Sequence, residues 1–285
     1  MKKIIFMLAA VAMFTSCEAL EQSADSADST VDTTDDTTTS VKELSFTTSI
    51  NELTKVTDTN FESNEVIAVT AYDASSTLVA DAVQYTNNGT LFASDDPIIY
   101  DADDVTYSFY AVYPSVSSMQ TSLDFYAMVD QSVDGAFTAS DMLFASVSSS
   151  DATPNLSFDH KMSSIAITIV GDDSGSITFN AKTGLRYGVK TGSVSTLGES
   201  SSVIPASNGT ASYKVILAPQ TISSGVVFAT YTVGSLTYDW ELDADFEMVS
   251  GKQYLFNWSL ANREVTLDSV INGWDVVDGG TVESK

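Results

Sequence analysis

From residue 41 onward the chain is written largely in period two, and that pattern leaves room for little but β-strands. Tyr107, Phe109, Ala111 and Tyr113 fall on one face of the stretch TYSFYAVY. Ile165, Ile167 and Ile169 alternate with Ala166, Thr168 and Val170. Leu236, Tyr238, Trp240 and Leu242 alternate with Thr237, Asp239 and Glu241, and Tyr254, Phe256, Trp258 and Leu260 with Leu255, Asn257 and Ser259. Successive side chains of a strand point to opposite faces, so each stretch is expected to bury one face. Asn87-Asn88-Gly89, Asp172-Asp173-Ser174-Gly175, Ser207-Asn208-Gly209 and Gly279-Gly280 supply turns between them. Long helical periodicity is absent. The fold class is therefore all-β, and the regular spacing points to sandwiches.

The 285 residues, 44% of them hydrophobic, suffice for one large or two ordinary domains. Residues 148–155, SSSDATPN, are the linker candidate, and Leu156-Ser157-Phe158 just after it echoes Leu44-Ser45-Phe46. The division is then 42–150 and 154–285. Charge follows the same division: residues 56–160 hold no Lys or Arg, while eight basic residues lie from Lys161 onward.

The amino terminus is of a different kind. Lys2 and Lys3 precede an unbroken apolar run, Ile4–Phe14, of 11 residues. A spanning helix needs roughly 20 residues, so this is a secretory signal rather than an anchor. Phe14-Thr15-Ser16-Cys17 resembles a bacterial lipobox, and Cys17 is the only cysteine. The resemblance implies a signal peptide at 1–16, cleavage before Cys17, and acylation of its sulfur and of the new amino terminus. Several acyl chains hold a protein at a membrane where one does so only marginally. The alternative is an ordinary secretion signal with an incidental cysteine. Residues 17–41 then form an acidic Ser/Thr-rich tether with little to bury. Ser26, Ser29, Thr33 and Thr37 each follow an Asp in a pattern resembling an O-glycosylation signal, although plain linker composition explains them as well.

The net charge of −26 repels phosphate backbones and argues against nucleic-acid binding. Catalysis is poorly supplied. His160 is the only histidine, and the only cysteine is assigned to lipid, so nucleophile–base pairs and His/Cys zinc sites lack their parts. His160 is expected to pack and hydrogen-bond. Asp101, Asp103 and Asp104 lack the glycine and distal glutamate of a calcium loop. No cofactor, no metal and no enzymatic activity are expected.

A set of ordered landmarks then resembles the fimbrillin family. Phe61-Glu62-Ser63-Asn64-Glu65-Val66-Ile67-Ala68-Val69 resembles its F-x-x-G-D-x-I-x-V strand, with Asn-Glu where Gly-Asp is usual. Phe109–Pro114 resembles F-x-A-Y-Y-P. Asp130-Gln131-Ser132 with Ser140–Ala145 matches D-Q-S … S-D-L-L-x-A, and Leu156–Ile165 matches L-x-F-x-H-x-L-x-K-I. Ala218-Pro219-Gln220-Thr221 and Ile271-Asn272-Gly273-Trp274 match two later landmarks.

The resemblance implies two tandem transthyretin-like β-sandwich domains in a pilin delivered to the cell outer membrane as a lipoprotein. It implies a trypsin-like maturation protease that cuts after Arg or Lys, removes the first strand and opens a groove for a strand from another copy or a related fimbrial subunit. Glu43–Ile50 would be that first strand. Lys55 would be the cut, with no other Lys or Arg before Lys161; without the resemblance Lys55 is a plain solvated lysine. The donor would be residues 264–282, carrying Val265, Leu267, Ile271 and Trp274, unless this segment is simply the last edge strand of the second domain. The competing reading is a monomeric surface lipoprotein that binds a glycan or host ligand. Exposed aromatics would mark it, whereas Trp240 and Trp258 are expected in the core.

Overall fold

The computed structural model describes residues 41–50, 61–101, 105–171, 174–272 and 275–278. These residues form strands and turns, with a single helical turn at Ala136–Ala139. The chain is all-β. Its first large sheet has seven strands, in spatial order Thr47–Ile50, Asn155–His160, Leu143–Ser149, Tyr107–Tyr113, Val66–Tyr72, Leu78–Asn87 and Phe92–Ala93. A six-stranded sheet follows, ordered Ala206–Ser207, Ser212–Leu217, Ser163–Val170, Lys252–Ser259, Glu264–Asn272 and Asp275–Asp278. A four-stranded sheet, Ser201–Val203, Ser176–Ala181, Val227–Val233 and Leu236–Glu241, packs against it.

Three apolar cores result. The first gathers Phe46, Ile67, Tyr85, Phe109, Leu143 and Phe158 around one face of the seven-stranded sheet. The second lies between the six- and four-stranded sheets, where Ile167, Phe228, Trp240, Phe256 and Trp258 meet. Trp240 stands edge-on to Phe256 at 4.7 Å and to Phe228 at 5.1 Å. Both tryptophans are 1% exposed, as the alternation predicts.

The third core was not legible. Ala68, Val112, Met142 and Phe144 on the opposite face of the seven-stranded sheet pack on Leu185, Tyr187 and Ile216 from the second half. Strand Val66–Tyr72 is consequently buried on both faces from Ile67 to Tyr72. A strand covered on both sides reads as a near-continuous apolar run, and VIAVTAY does so except at Thr70, whose hydroxyl donates to Asp81 Oδ1 at 3.1 Å. The expectation of one buried face is corrected for Tyr107–Tyr113, where Val112 is as buried as Phe109.

The change of sheet also falls later than the linker candidate. Asn155–His160 pairs in parallel with Thr47–Ile50 and antiparallel with Leu143–Ser149. Leu156 and Phe158 thus belong to the first core, and the second sheet starts at Ser163. Residues 150–154 are the loop between two strands of one sheet. A further three-stranded sheet joins Ser122–Tyr126 to Gly184–Gly188 and Val194–Leu197, so the two halves share backbone pairing as well as a core.

Four cations beyond residue 160 reach groups of the first half. Arg186 donates two hydrogen bonds to Asp124, both 2.6 Å. Lys161 Nζ lies 3.2 Å from Asp159. Lys190 sits 3.3 Å above the Tyr72 ring and Lys214 4.2 Å above that of Phe137. Surface contacts of this kind contribute little to stability. The apolar face beneath them, at roughly 25 cal/mol per Å² buried, dominates the coupling.

Candidate functional site

Residues 41–50 fill a seam at the rim of the first core. Val41–Glu43 pairs antiparallel with Ile99–Asp101. Leu44 N–H donates to Ile98 O at 3.1 Å, and Phe46 and Phe92 exchange two backbone hydrogen bonds of 3.0 and 2.8 Å. The segment then turns to the opposite wall. Ser45 and Thr47 N–H donate to Ala152 O and Pro154 O, both at 3.1 Å, and Thr47–Ile50 runs parallel to Asn155–Phe158. One extended segment therefore bridges two walls that do not pair with each other at this point.

Its side chains complete the core. Leu44 is 2% exposed and Phe46 fully buried. The Phe46 ring stands edge-on to Tyr85 at 4.9 Å and to Phe109 at 5.5 Å. Burying a side chain of this size contributes about 1.5–3 kcal/mol. Tyr85 accepts a hydrogen bond from Ile98 N–H at 2.8 Å, and burial pushes its hydroxyl up to about 12. Thr47, Ser49 and Glu43 face solvent. The alternation is that of a strand whose inner face is a row of plugs.

At its end Ile50 borders a cleft of about 180 Å³, with Phe61, Tyr113, Phe137 and Leu143 as apolar wall. Two polar pairs line it. Tyr113 donates to Glu65 Oε1 at 2.7 Å, and burial followed by that carboxylate raises the Tyr113 pKa. His160 Nδ1 lies 2.7 Å from Asp141 Oδ2, so the histidine packs and hydrogen-bonds as expected.

The carboxyl-terminal landmarks sit elsewhere. Glu264–Asn272 pairs with Lys252–Ser259 on one side and Asp275–Asp278 on the other. Val265 is fully buried in the second core, with Leu267 and Val270 packed against it. The register shifts opposite Leu255 and Phe256, where Phe256 pairs with Leu267 but Leu255 with Ser269. Asp268 is the extra residue of that bulge, and it passes the inner face from the odd positions to Val270. Ile271 pairs with Gln253, one position off the Tyr254–Val270 pair. This bulge breaks the alternation that starts at Val265 and Leu267 before it reaches Ile271.

Other landmarks prove architectural. Gln131 is 1% exposed; its side chain accepts from Ile216 N–H at 2.8 Å and donates to Ile216 O at 2.7 Å. One amide thus occupies the pairing position of a neighbouring strand and ties the two halves. Gln220 does the same to Lys182, at 3.0 and 2.8 Å. Ser140 closes the helical turn by donating to Ala136 O at 2.7 Å and accepting from Met128 N–H at 3.0 Å. Asn64, in place of the usual glycine, holds φ at 74°, so the turn keeps its left-handed residue. Sequence reading ranked none of these roles, because an amide's partner is visible only in space. Cys17, Ser26, Ser29, Thr33, Thr37, Lys55 and Trp274 lie outside the described residues. Among those described, no group of His, Cys, Asp and Glu is arranged to hold a metal.

Comparison with known proteins places this architecture. A cell adhesion protein, so titled as a candidate, from Bacteroides ovatus superposes with a TM-score of 0.65 at 17% identity, covering 85% of this chain and 97% of its own. A similarly titled protein from Bacteroides uniformis gives 0.63 at 19% identity, covering 84% and 98%. At such identities the likeness establishes a shared fold. The search of curated proteins found no match. The profile of the family described as fimbrillin-like matches residues 54–274. With most of its length under that profile, the chain belongs to the fimbrillin-like family.

Proposed function

We propose that the chain is a structural subunit of surface fimbriae, delivered to the outer membrane as a lipoprotein on Cys17 and polymerised by replacement of its first strand. The family membership supports the fimbrial role, and both fold relatives bear titles of cell adhesion proteins. The observation that carries the exchange is the seating of residues 41–50. They supply Leu44 and Phe46 to the first core, Thr47–Ile50 is the outermost strand of its seven-stranded sheet, and the next basic residue after them is Lys55. A protease specific for Lys or Arg and acting there would free the lipid, the tether and the plug together. Cutting at Lys42 would free the lipid but leave Leu44 and Phe46 in place. The exposed walls would then offer unpaired backbone and an apolar trough to an extended segment of another subunit. The two sandwich-like halves, fused through their shared core, would act as one rigid shaft unit.

Amino-terminal sequencing of assembled fibres is expected to begin at Val56, and Lys55→Ala is expected to leave unpolymerised subunits that retain lipidated Cys17. Fibres whose subunits begin at Cys17 would sink the proposal. The donor is narrowed by the burial of Val265. Truncation after Asn272 is expected to abolish polymerisation while preserving cooperative unfolding, whereas truncation before Glu264 removes part of the second core and is expected to unfold that half.

A further inference from the structure

The dipeptide Asn-Gly occurs at 88–89, 208–209 and 272–273, and the first two continue alike as Asn-Gly-Thr. In Asn-Gly the side-chain amide is open to attack by the next backbone nitrogen, because glycine has no Cβ to hinder ring closure and turns freely about its backbone. The same residues on the reacting side give the first two pairs the same intrinsic reactivity, so a difference between them is set by the fold. Gly273 lies outside the described residues. The other two pairs are both exposed. Both also close turns: Asn88 N–H donates to Leu91 O at 3.0 Å, and Asn208 N–H to Ser212 O at 2.8 Å. The two glycines hold φ at 94° and 113°. Neither exposure nor the glycine conformation separates the two turns.

Hydrogen bonding does. At the first turn Gly89 N–H donates to Asn87 Oδ1 at 2.9 Å, and Asn88 Oδ1 accepts from Thr90 N–H and Leu91 N–H, both at 3.0 Å. Asn87 is itself anchored: it is 8% exposed, and its side-chain nitrogen donates to Phe61 O and Glu62 O, both at 3.0 Å. Closing a ring here must draw Gly89 N–H away from Asn87 and the Asn88 side chain away from Thr90 and Leu91. At the second turn neither Gly209 N–H nor the Asn208 side chain makes a hydrogen bond to a described residue. The bond from Ser207 Oγ to Gly209 O, 3.4 Å, touches neither reacting group. This loop is one residue longer, and a Cβ built on Gly209 meets nothing within 4 Å. The side chain therefore has both room and freedom to fold back on the glycine nitrogen.

We propose that Asn208-Gly209 is a site of spontaneous modification, where the asparagine deamidates in the folded chain while the same tripeptide at Asn88 is protected. The Gly209 nitrogen, its proton taken by hydroxide, attacks Cγ of Asn208. The new C–N bond closes a five-membered imide, and the side-chain nitrogen leaves as ammonia. Water then opens the imide at one of its two carbonyls, giving aspartate or isoaspartate. Amide and water are exchanged for carboxylate and ammonia, and nothing is oxidised or reduced. The site lies in the hairpin joining Ala206–Ser207 to Ser212–Leu217, at the edge of the six-stranded sheet. Each event adds one negative charge there, and the isoaspartate product also lengthens the main chain of the turn by a methylene. The chemistry is the same whether or not the first strand is removed.

The test is peptide mapping by mass spectrometry of the full chain, incubated at mildly alkaline pH either folded or in urea above its unfolding midpoint. In urea the two Asn-Gly-Thr sites are expected to deamidate at the same rate. In the folded chain Asn208 is expected to keep a rate within a few fold of its unfolded one. Asn88 is expected to fall at least about tenfold below it, since three hydrogen bonds must part before the ring closes. Equal rates at the two sites in the folded chain, a faster rate at Asn88, or a folded Asn208 that stays intact while its unfolded form reacts would each overturn the proposal. So would an Asn208 that reacts in neither state. Asn208→Gln is expected to abolish isoaspartate in that turn and to leave the urea midpoint unchanged, because the exposed side chain is bonded to no described residue. Isoaspartate persisting in the Asn208→Gln peptide, or a shifted midpoint, would show that the turn is not as the structure describes it and would equally overturn the assignment.

Discussion

The two halves of the molecule complete their cores in the same way and to opposite effect. In the first half Thr47–Ile50 ends the sheet, and the plug it belongs to inserts Leu44 and Phe46. In the second half Glu264–Asn272 inserts Val265, but it has strands on both sides. Burial alone does not distinguish the two, since Phe46 and Val265 are both fully enclosed. Position along the chain does. The plug precedes the other strands of the described body, so it can be cut away without carrying another strand with it, whereas Glu264–Asn272 carries Asp275–Asp278. The proposed exchange would accordingly open the first half and leave the second shut.

Equivalent deletions in the two cores are the strongest way to break this contrast. Trp258→Ala in the second core and Phe46→Ala in the first are each expected to cost the uncut subunit about 3–5 kcal/mol in denaturant unfolding. In assembled fibres Trp258→Ala should remain as destabilising, while Phe46→Ala should have no effect if the first strand is removed as proposed. Equal losses in both states for both variants would contradict the contrast. Gln131→Ala is expected to cost about 1–3 kcal/mol by leaving Ile216 N–H and C=O unpaired in a buried place. It should also loosen the halves from one another, seen as faster amide exchange at Ile216. Lys190→Ala removes the cation above Tyr72, with an expected loss of about 0.5–1 kcal/mol.

The smallest expected effect is on pH dependence. Burial raises the Asp81 pKa, but hydrogen bonds from Met119 N–H, Ser118, Gln120 and Thr70 outweigh it, and the net shift is downward. A carboxyl depressed in the folded state contributes stability that is present above its unfolded pKa, about 3.9, and is lost as pH falls through its lower folded value. Asp81→Asn is therefore expected to lower the urea midpoint at pH 7 and to flatten its fall towards pH 3. A midpoint that falls as steeply in the variant as in the parent chain would show that the carboxylate contributes nothing.

How far the sequence could be read depended on the range of the interaction. Ile165, Ile167 and Ile169 and the run Tyr254 to Leu260 were legible because period two is a property of a single strand. So was the burial of Trp240 and Trp258. The position of the change of sheet was not. SSSDATPN has the composition of a linker, yet Asn155–His160 returns to the first sheet because Leu156 and Phe158 have their matching surface there. The outer face of Val66–Tyr72 was missed for a related reason: its cover comes from Leu185, Tyr187 and Ile216, more than a hundred residues away. Gln131 and Gln220 stood out as landmarks but not as clamps.

The sequence by itself determined the class of fold, the family and the chemical separation of the chain into an apolar amino-terminal run, an acidic Ser/Thr-rich stretch and a strand-rich body. These follow from local composition, alternation and ordered motifs, which need no partner to be recognised. Only the tertiary structure decided that the two halves share a third core, that Val265 belongs to the second core, and that Leu44 and Phe46 fill a seam at the edge of the first. Those outcomes depend on which distant surfaces meet, and the free energy of burying an apolar face is indifferent to its partner's distance along the chain.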